Sequence, residues 1–216
     1  VRVRAPVGTS RRLLEQLVIE RANWVNDKLL QQRQRLACRP EYRFETGEHL
    51  PLLGNWLKLE VTSAAVNSVS QKDEALVVGL SARSRREPRQ RVEALVTNWY
   101  RQYALELLTA RTQQLCQRLG LQSRAVTVRA TRSKWGHCTS DGRIQYNWQI
   151  VLAPEQALDY LVAHEVCHLR HPHHGQAFWQ LVATVCPEYQ RWRQWLRQEG
   201  HRLVLSSWGN KPSVEV

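Results

Sequence analysis

Apolar positions along this chain switch between two spacings. From about Ser10 to near Gln34, Leu13, Leu14, Leu17, Val18, Ala22, Val25 and Leu29 recur at helical period. Ahead of them, Val1 to Val7 alternates apolar with polar and predicts a short strand. Tyr42 to Val61 carries Gly47 and a Leu53-Gly54-Asn55 turn signal, which predicts a hairpin ending in Trp56 to Val61; Ala75 to Leu80 predicts another strand. An arginine-rich stretch, Arg83 to Arg91, leads into a long helix. Val92, Leu95, Val96, Trp99, Tyr103, Leu107, Leu108, Leu115 and Leu119 form its inner side and Gly120 its cap. Ala125 to Ala130 and Arg143 to Leu152 then predict strands around an Asp141-Gly142 turn. There are no internal repeats. The pattern as a whole is α+β, with small mixed or antiparallel sheets packed on helices.

The last helix of this reading carries the chemistry. Pro154 suits its first position and Glu155 its first turn. Leu158, Val162, Val166 and Leu169 form one apolar stripe, and His164, Glu165 and His168 form another well over a quarter-turn away. One side should pack on a core while the other faces a cleft. Histidines four apart are separated by about 6 Å of axial rise, so both can reach one ion at roughly 2.0–2.1 Å. Glu165 falls beside that ion, placed to take a proton from a metal-activated water.

Three histidines compete for the third position. His171 lies on nearly the same stripe as His164 but about 10 Å further along the axis, too far to share an ion in an unbroken helix. If Pro172 and Gly175 turn the chain back, His173 or His174 can approach. His174 stands six residues after His168, the spacing of the metzincin proteases, although that family has glycine where this chain has His171. His174 is favoured, with His171 lining the cleft.

Composition narrows the class. The 216 residues, 43% of them hydrophobic, can bury one sizeable core. No apolar run is long enough for a membrane span and no signal-peptide core follows the charged opening, so no membrane partner is expected. The five cysteines are scattered and odd in number, which suits a reduced cytoplasm better than a disulfide framework. The lack of methionine points to a processed, truncated or partial N terminus.

Arg132-Ser133-Lys134-Trp135-Gly136-His137-Cys138, Asn147-Trp148, the His164–His168 helix and His174-Gly175-Gln176-Ala177-Phe178-Trp179 together resemble the YgjP-like metallopeptidases, relatives of the SprT and WLM zinc proteases. The likeness is specific from Thr131 to Trp195 and looser before. It implies a zincin-like fold with the motif on a central helix. It also implies one Zn2+ ion on His164, His168 and His174, Glu165 as base, and a peptide or protein substrate. A single domain over 1–216 is expected, with an N-terminal β-rich lobe over about 1–85 and a catalytic core over about 86–205. The family usually has a small residue where His137 stands.

Other residues keep two readings each. Trp135-Gly136 before a hairpin reads as packing and backbone freedom, or as a loop entering the cleft with His137 or Cys138 near the metal. Cys138 as a fourth ligand would close the site, whereas catalytic zinc keeps an open position. The strand from Arg143 would offer its edge to an extended peptide, with Asn147 near the cleft or merely structural. His171, His137 and Tyr189 are the candidates for the oxyanion donor. Charge adds a rival function. The net +12 is mostly arginine, clustered at Arg83, Arg85, Arg86, Arg89 and Arg91, and interleaved with Trp192 and Trp195 at Arg191, Arg193 and Arg197. That suits a nucleic-acid-associated module with a mainly structural metal, or a protease of DNA-bound proteins. A solvated basic surface over buried tryptophans is the favoured alternative.

Overall fold

A computed structural model of the chain describes residues 3–83, 87–131 and 133–205. Arg85 and Arg86 of the arginine cluster, and Arg132 of the Thr131–Cys138 region, lie outside them. By packing the chain divides into two compact units, Val1–Arg39 and Pro40–Val216.

The first unit is helical. α1 (Arg11–Glu20) starts at Ser10, whose side chain accepts a hydrogen bond from the Leu13 amide, and α2 (Ala22–Ala37) follows after a break at Arg21. The strand expected at Val1 to Val7 does not form in its described part. Pro6 has no amide to give a ladder, and its carbonyl instead accepts from Thr9 N in a turn completed by Gly8 at φ 91°. The strands of the expected β-rich lobe therefore begin only at His49, after two helices.

The second unit opens with a four-stranded sheet ordered β1-β2-β4-β3. β1 (His49–Leu52) and β2 (Asn55–Ala64) form the expected hairpin, turning at Leu53 and Gly54, both with positive φ. β4 (Ala75–Ser81) pairs parallel to β2, and β3 (Ser68–Lys72) antiparallel to β4 on the sheet edge. β3 escapes the sequence pattern because Ser68-Val69-Ser70-Gln71-Lys72 is a mostly exposed, polar edge strand.

α3 (Pro88–Leu119) runs on as one helix to Gly120, whose φ of 62° makes the left-handed cap. Its buried line is Val92, Val96, Tyr100, Ala104 and Leu108, every fourth residue. The stripe thus centres one position away from the predicted one, with Leu95, Trp99, Tyr103 and Leu107 on its flank. A second sheet follows, ordered β5-β7-β6. β5 (Ala125–Arg129) is parallel to β7 (Arg143–Asn147), and β6 (Gly136–Cys138) is antiparallel to it across the Asp141-Gly142 turn.

The strand expected to reach Leu152 stops at Asn147. Asn147 Oδ1 accepts from Gln149 N and starts a 3-10 turn over Trp148–Leu152. A fully buried apolar run such as Ile150-Val151-Leu152 has no alternation by which sequence could separate the two forms. This turn is the hub of the unit. Val151 O accepts from Leu53 N of the first hairpin, while Tyr100 OH donates to Pro51 O nearby.

Three helices complete the unit: α4 (Glu155–Cys167), α5 (Gln176–Val185) and α6 (Tyr189–Glu199). Arg111 of α3 ion-pairs with Glu155 and Asp159 at the start of α4. α4 is not a two-faced helix. Leu158, Val162 and Val166 are buried as expected, but so are Ala157, Tyr160, Leu161, Ala163, Glu165 and Cys167, which makes it the central element. Among the described residues no helix is long and apolar enough to cross a membrane.

The second sheet is tied to α3 by a hydrogen bond of 2.9 Å between the hydroxyls of Thr112 and Tyr146, both fully buried. Tyr146→Phe strands the Thr112 hydroxyl in the core and should destabilise the protein by about 1–3 kcal/mol. The check is the urea midpoint at unchanged m-value.

Candidate metal centre

The last turn of α4 points its polar residues to one spot. His164 is half-buried, Glu165 is 4% exposed, and His168 caps the helix at its C terminus. The chain then turns through Leu169–His174 and re-enters a helix after Gly175, which brings His174 back over the end of α4. His164 Nε2 lies 3.3 Å from His168 Nε2 and 3.1 Å from His174 Nε2. The three donor atoms all fall within 4.8 Å of one another. His171 and His173 are outside this set, and so is Cys138, whose thiol lies against the Thr139 carbonyl.

The surroundings hold these rings. Phe178, fully buried on α5, has its ring 5.1, 4.5 and 4.9 Å from those of His164, His168 and His174 and stacks on His168. Trp179 stacks on His174 at 5.5 Å, and Tyr189 stacks on Trp179 in turn. His168 Nδ1 donates to the His171 carbonyl at 3.1 Å, which fixes the tautomer and leaves Nε2 with its lone pair toward the other rings. His171 therefore contributes its backbone to the site.

Protonation of His164 and His168 is disfavoured. Burial, then the neighbouring His168, His174 and Arg193, lower His164 to about 3, and burial lowers His168 as well, against the pull of the His171 carbonyl. The neutral form of an imidazole is the one that offers a ring nitrogen to a metal. Two nitrogens at roughly 2.0–2.1 Å from a tetrahedral ion stand about 3.3–3.4 Å apart, close to the separations found here. The donor set fits zinc; His168 has the second-nitrogen hydrogen bond that ligating histidines usually have, whereas Nδ1 of His164 is buried without a hydrogen-bond partner.

Glu165 sits beside the cluster in a tight seat. Burial pushes its carboxyl up to about 8, while the Lys134 ammonium works in the opposite direction. Gly136 of β6 passes so close that a Cβ there would lie 2.3 Å from Glu165 Oε1. Close approach, rather than turn-making, explains the glycine of the Trp135-Gly136 pair. Trp135 itself packs on Gly200, where an added Cβ would stand 3.0 Å from the indole.

A cleft of about 340 Å3 opens onto His164 and Glu165, lined also by Lys134, Trp135, Gly136, Tyr160, Leu161, Arg193, Leu196 and Arg197. Tyr160 meets His164 edge-on at 5.9 Å. The arginines were not legible as site residues, because spacing along α6 does not say which helix its charged face overlooks, and Tyr160, one turn before His164 on α4, reads from sequence as a core aromatic. His137 is exposed and lines a smaller neighbouring hollow with Asn147, while Tyr189 is held in the Trp179 stack. Asn147 is 4% exposed and spends its amide on Thr131 O and Gln149 N. The peptide-binding edge expected on the strand from Arg143 is also corrected. β7 lies between β5 and β6, so its own ladder is filled on both sides, and the edge strand beside Glu165 is β6.

Comparison with known proteins follows this geometry. Among curated proteins nothing matches. The crystal structure of the metallopeptidase zymogen of Pyrococcus abyssi abylysin is similar at 20% identity and a TM-score of 0.39, covering 45% of this chain and 99% of that one. A family model described as YgjP-like, metallopeptidase domain, matches residues 1–199, nearly the whole chain. The chain belongs to the YgjP-like metallopeptidase family.

Proposed function

We propose that this metallopeptidase is a zinc-dependent hydrolase of peptide bonds, with His164, His168 and His174 as metal ligands and Glu165 as general base. The observation that carries the reading is the convergence of three imidazole nitrogens beside a buried carboxylate at the mouth of a cleft. When bound, zinc supplies Lewis acidity toward a substrate carbonyl and toward water at neutral pH.

The chain's own residues do the rest. Glu165 takes the proton of the attacking water and hands it to the departing amine. Burial raises the proton affinity of its carboxyl and Lys134 moderates that rise, which suits a group that must both accept and release a proton. Gly136 keeps the carboxyl in place by backbone contact, and β6, on the sheet edge, offers main-chain groups to an extended substrate. Tyr160, on the cleft wall, is the donor within the site for a developing oxyanion.

A nucleic-acid role for the basic face of α6 finds less support. Trp192 is buried, Arg191 pairs with Glu188, and Arg193 lies 4.5 Å over the Trp179 ring, so this aromatic face is not free to stack on bases.

Three outcomes are expected. Glu165→Gln should retain one zinc per chain by elemental analysis and lose peptide hydrolysis by 10^3-fold or more, roughly what a general base with its metal partner contributes; unchanged turnover would refute the assigned base. His174→Ala should lower zinc content after dialysis well below one per chain, and full retention would remove it as a ligand. Gly136→Ala should keep zinc yet reduce kcat/KM about 100-fold, since a displacement of about 1 Å at the base is enough; wild-type kinetics would show that the contact does not position Glu165.

A further inference from the structure

The walls of the cleft carry charge of one sign. Lys134 comes from the segment before β6, and Arg193 and Arg197 stand four apart on α6, hence on one face of that helix. All three are exposed, and none has a carboxylate partner among the described residues. Their neighbours differ. Arg191 pairs with Glu188 at 3.3 Å and Arg202 with Glu199 at 3.2 Å, and neither of these paired arginines lines the cleft. Glu165 is the one acid on the cleft wall, and it is nearly inaccessible. Arg193 is further fixed by lying flat over Trp179, itself stacked on His174, so its guanidinium is anchored to the metal site's own framework.

From this arrangement we infer that the cleft selects polypeptide substrates bearing a carboxylate next to the scissile bond, bound by Arg193, Arg197 and Lys134. The inference rests on the peptidase reading and adds the substrate class to it. A guanidinium presents paired N–H donors that match a carboxylate, and unpaired cations in one cleft raise the local concentration of anionic segments. The carboxylate comes either from an Asp or Glu side chain or from the substrate's C terminus, and the two sources are separable.

The test uses zinc-loaded Glu165→Gln protein and dye-labelled heptapeptides followed by fluorescence anisotropy. Each peptide carries Glu or its neutral isostere Gln near the centre, with the C terminus free or amidated, and a short single-stranded oligonucleotide serves as the rival anion. The expected result is binding roughly 10- to 100-fold tighter for one carboxylate-bearing set, the size of one charge-assisted hydrogen bond. Dependence on Glu identifies the side-chain source, and dependence on the free terminus identifies the terminal one. Adding Arg197→Gln should bring the ratio close to one, and Arg197→Glu should turn the preference toward a Lys-bearing peptide. Equal binding of all peptides, an unchanged ratio in Arg197→Gln, or tighter binding of the oligonucleotide than of any peptide would overturn the inference. The peptidase reading is scored separately with the wild-type enzyme on the same peptides. Cleavage without charge preference would keep that reading and sink this one; selective binding without cleavage would do the reverse.

Discussion

Almost every side of α4 is covered, and that constraint organises the protein. A helix packed against α3, the 3-10 turn, α5, α6 and β6 has very little surface on which a polar residue can stand. Its histidines and glutamate therefore fall in the last turn, where the helix emerges. Burial then sets their chemistry, lowering the proton affinity of His164 and His168 and making the Glu165 carboxyl avid for protons. The convergence of the three histidines, the position of Glu165 and the location of the cleft all follow from where α4 ends.

The supporting elements work on that exit point from different directions. α5 brings His174 and backs the rings with Phe178; β6 presses a bare backbone on Glu165; α6 overlooks the opening with its arginines. The first sheet stands further off and reaches this region through hydrogen bonds from Leu53 to Val151 and from Tyr100 to Pro51. It acts as a buttress for the turn that precedes α4.

Much of this was readable in the residues. Two histidines at helical spacing with an intervening glutamate constrain one another, and the geometric limit on His171 points past Pro172, to His174, which the fold brings beside His164. Long periodic segments were legible too, α3 down to its capping Gly120. What sequence hid was environment. The exposed polar strand Ser68–Lys72 has no pattern, the buried run after Asn147 has no period, and Val1 to Val7 has a period without a partner strand. Phe178 looks like any core aromatic until its ring is seen among three imidazoles. Gly136 looks like a turn residue until the Glu165 carboxyl is found against its Cα. Each miss belongs to a contact between segments distant in sequence, which local spacing does not encode.

The position of Phe178 has a consequence for how the three histidines respond to a ligand. Its ring is within about 5 Å of each imidazole, and Trp179 braces His174 from the other side. Packing of this kind leaves the rings little rotamer freedom. They also cannot move independently, since a tilt of Phe178 is felt by all three. The centre should therefore behave as a stiff, collective unit, tuned for affinity by an apolar residue that never touches the ligand.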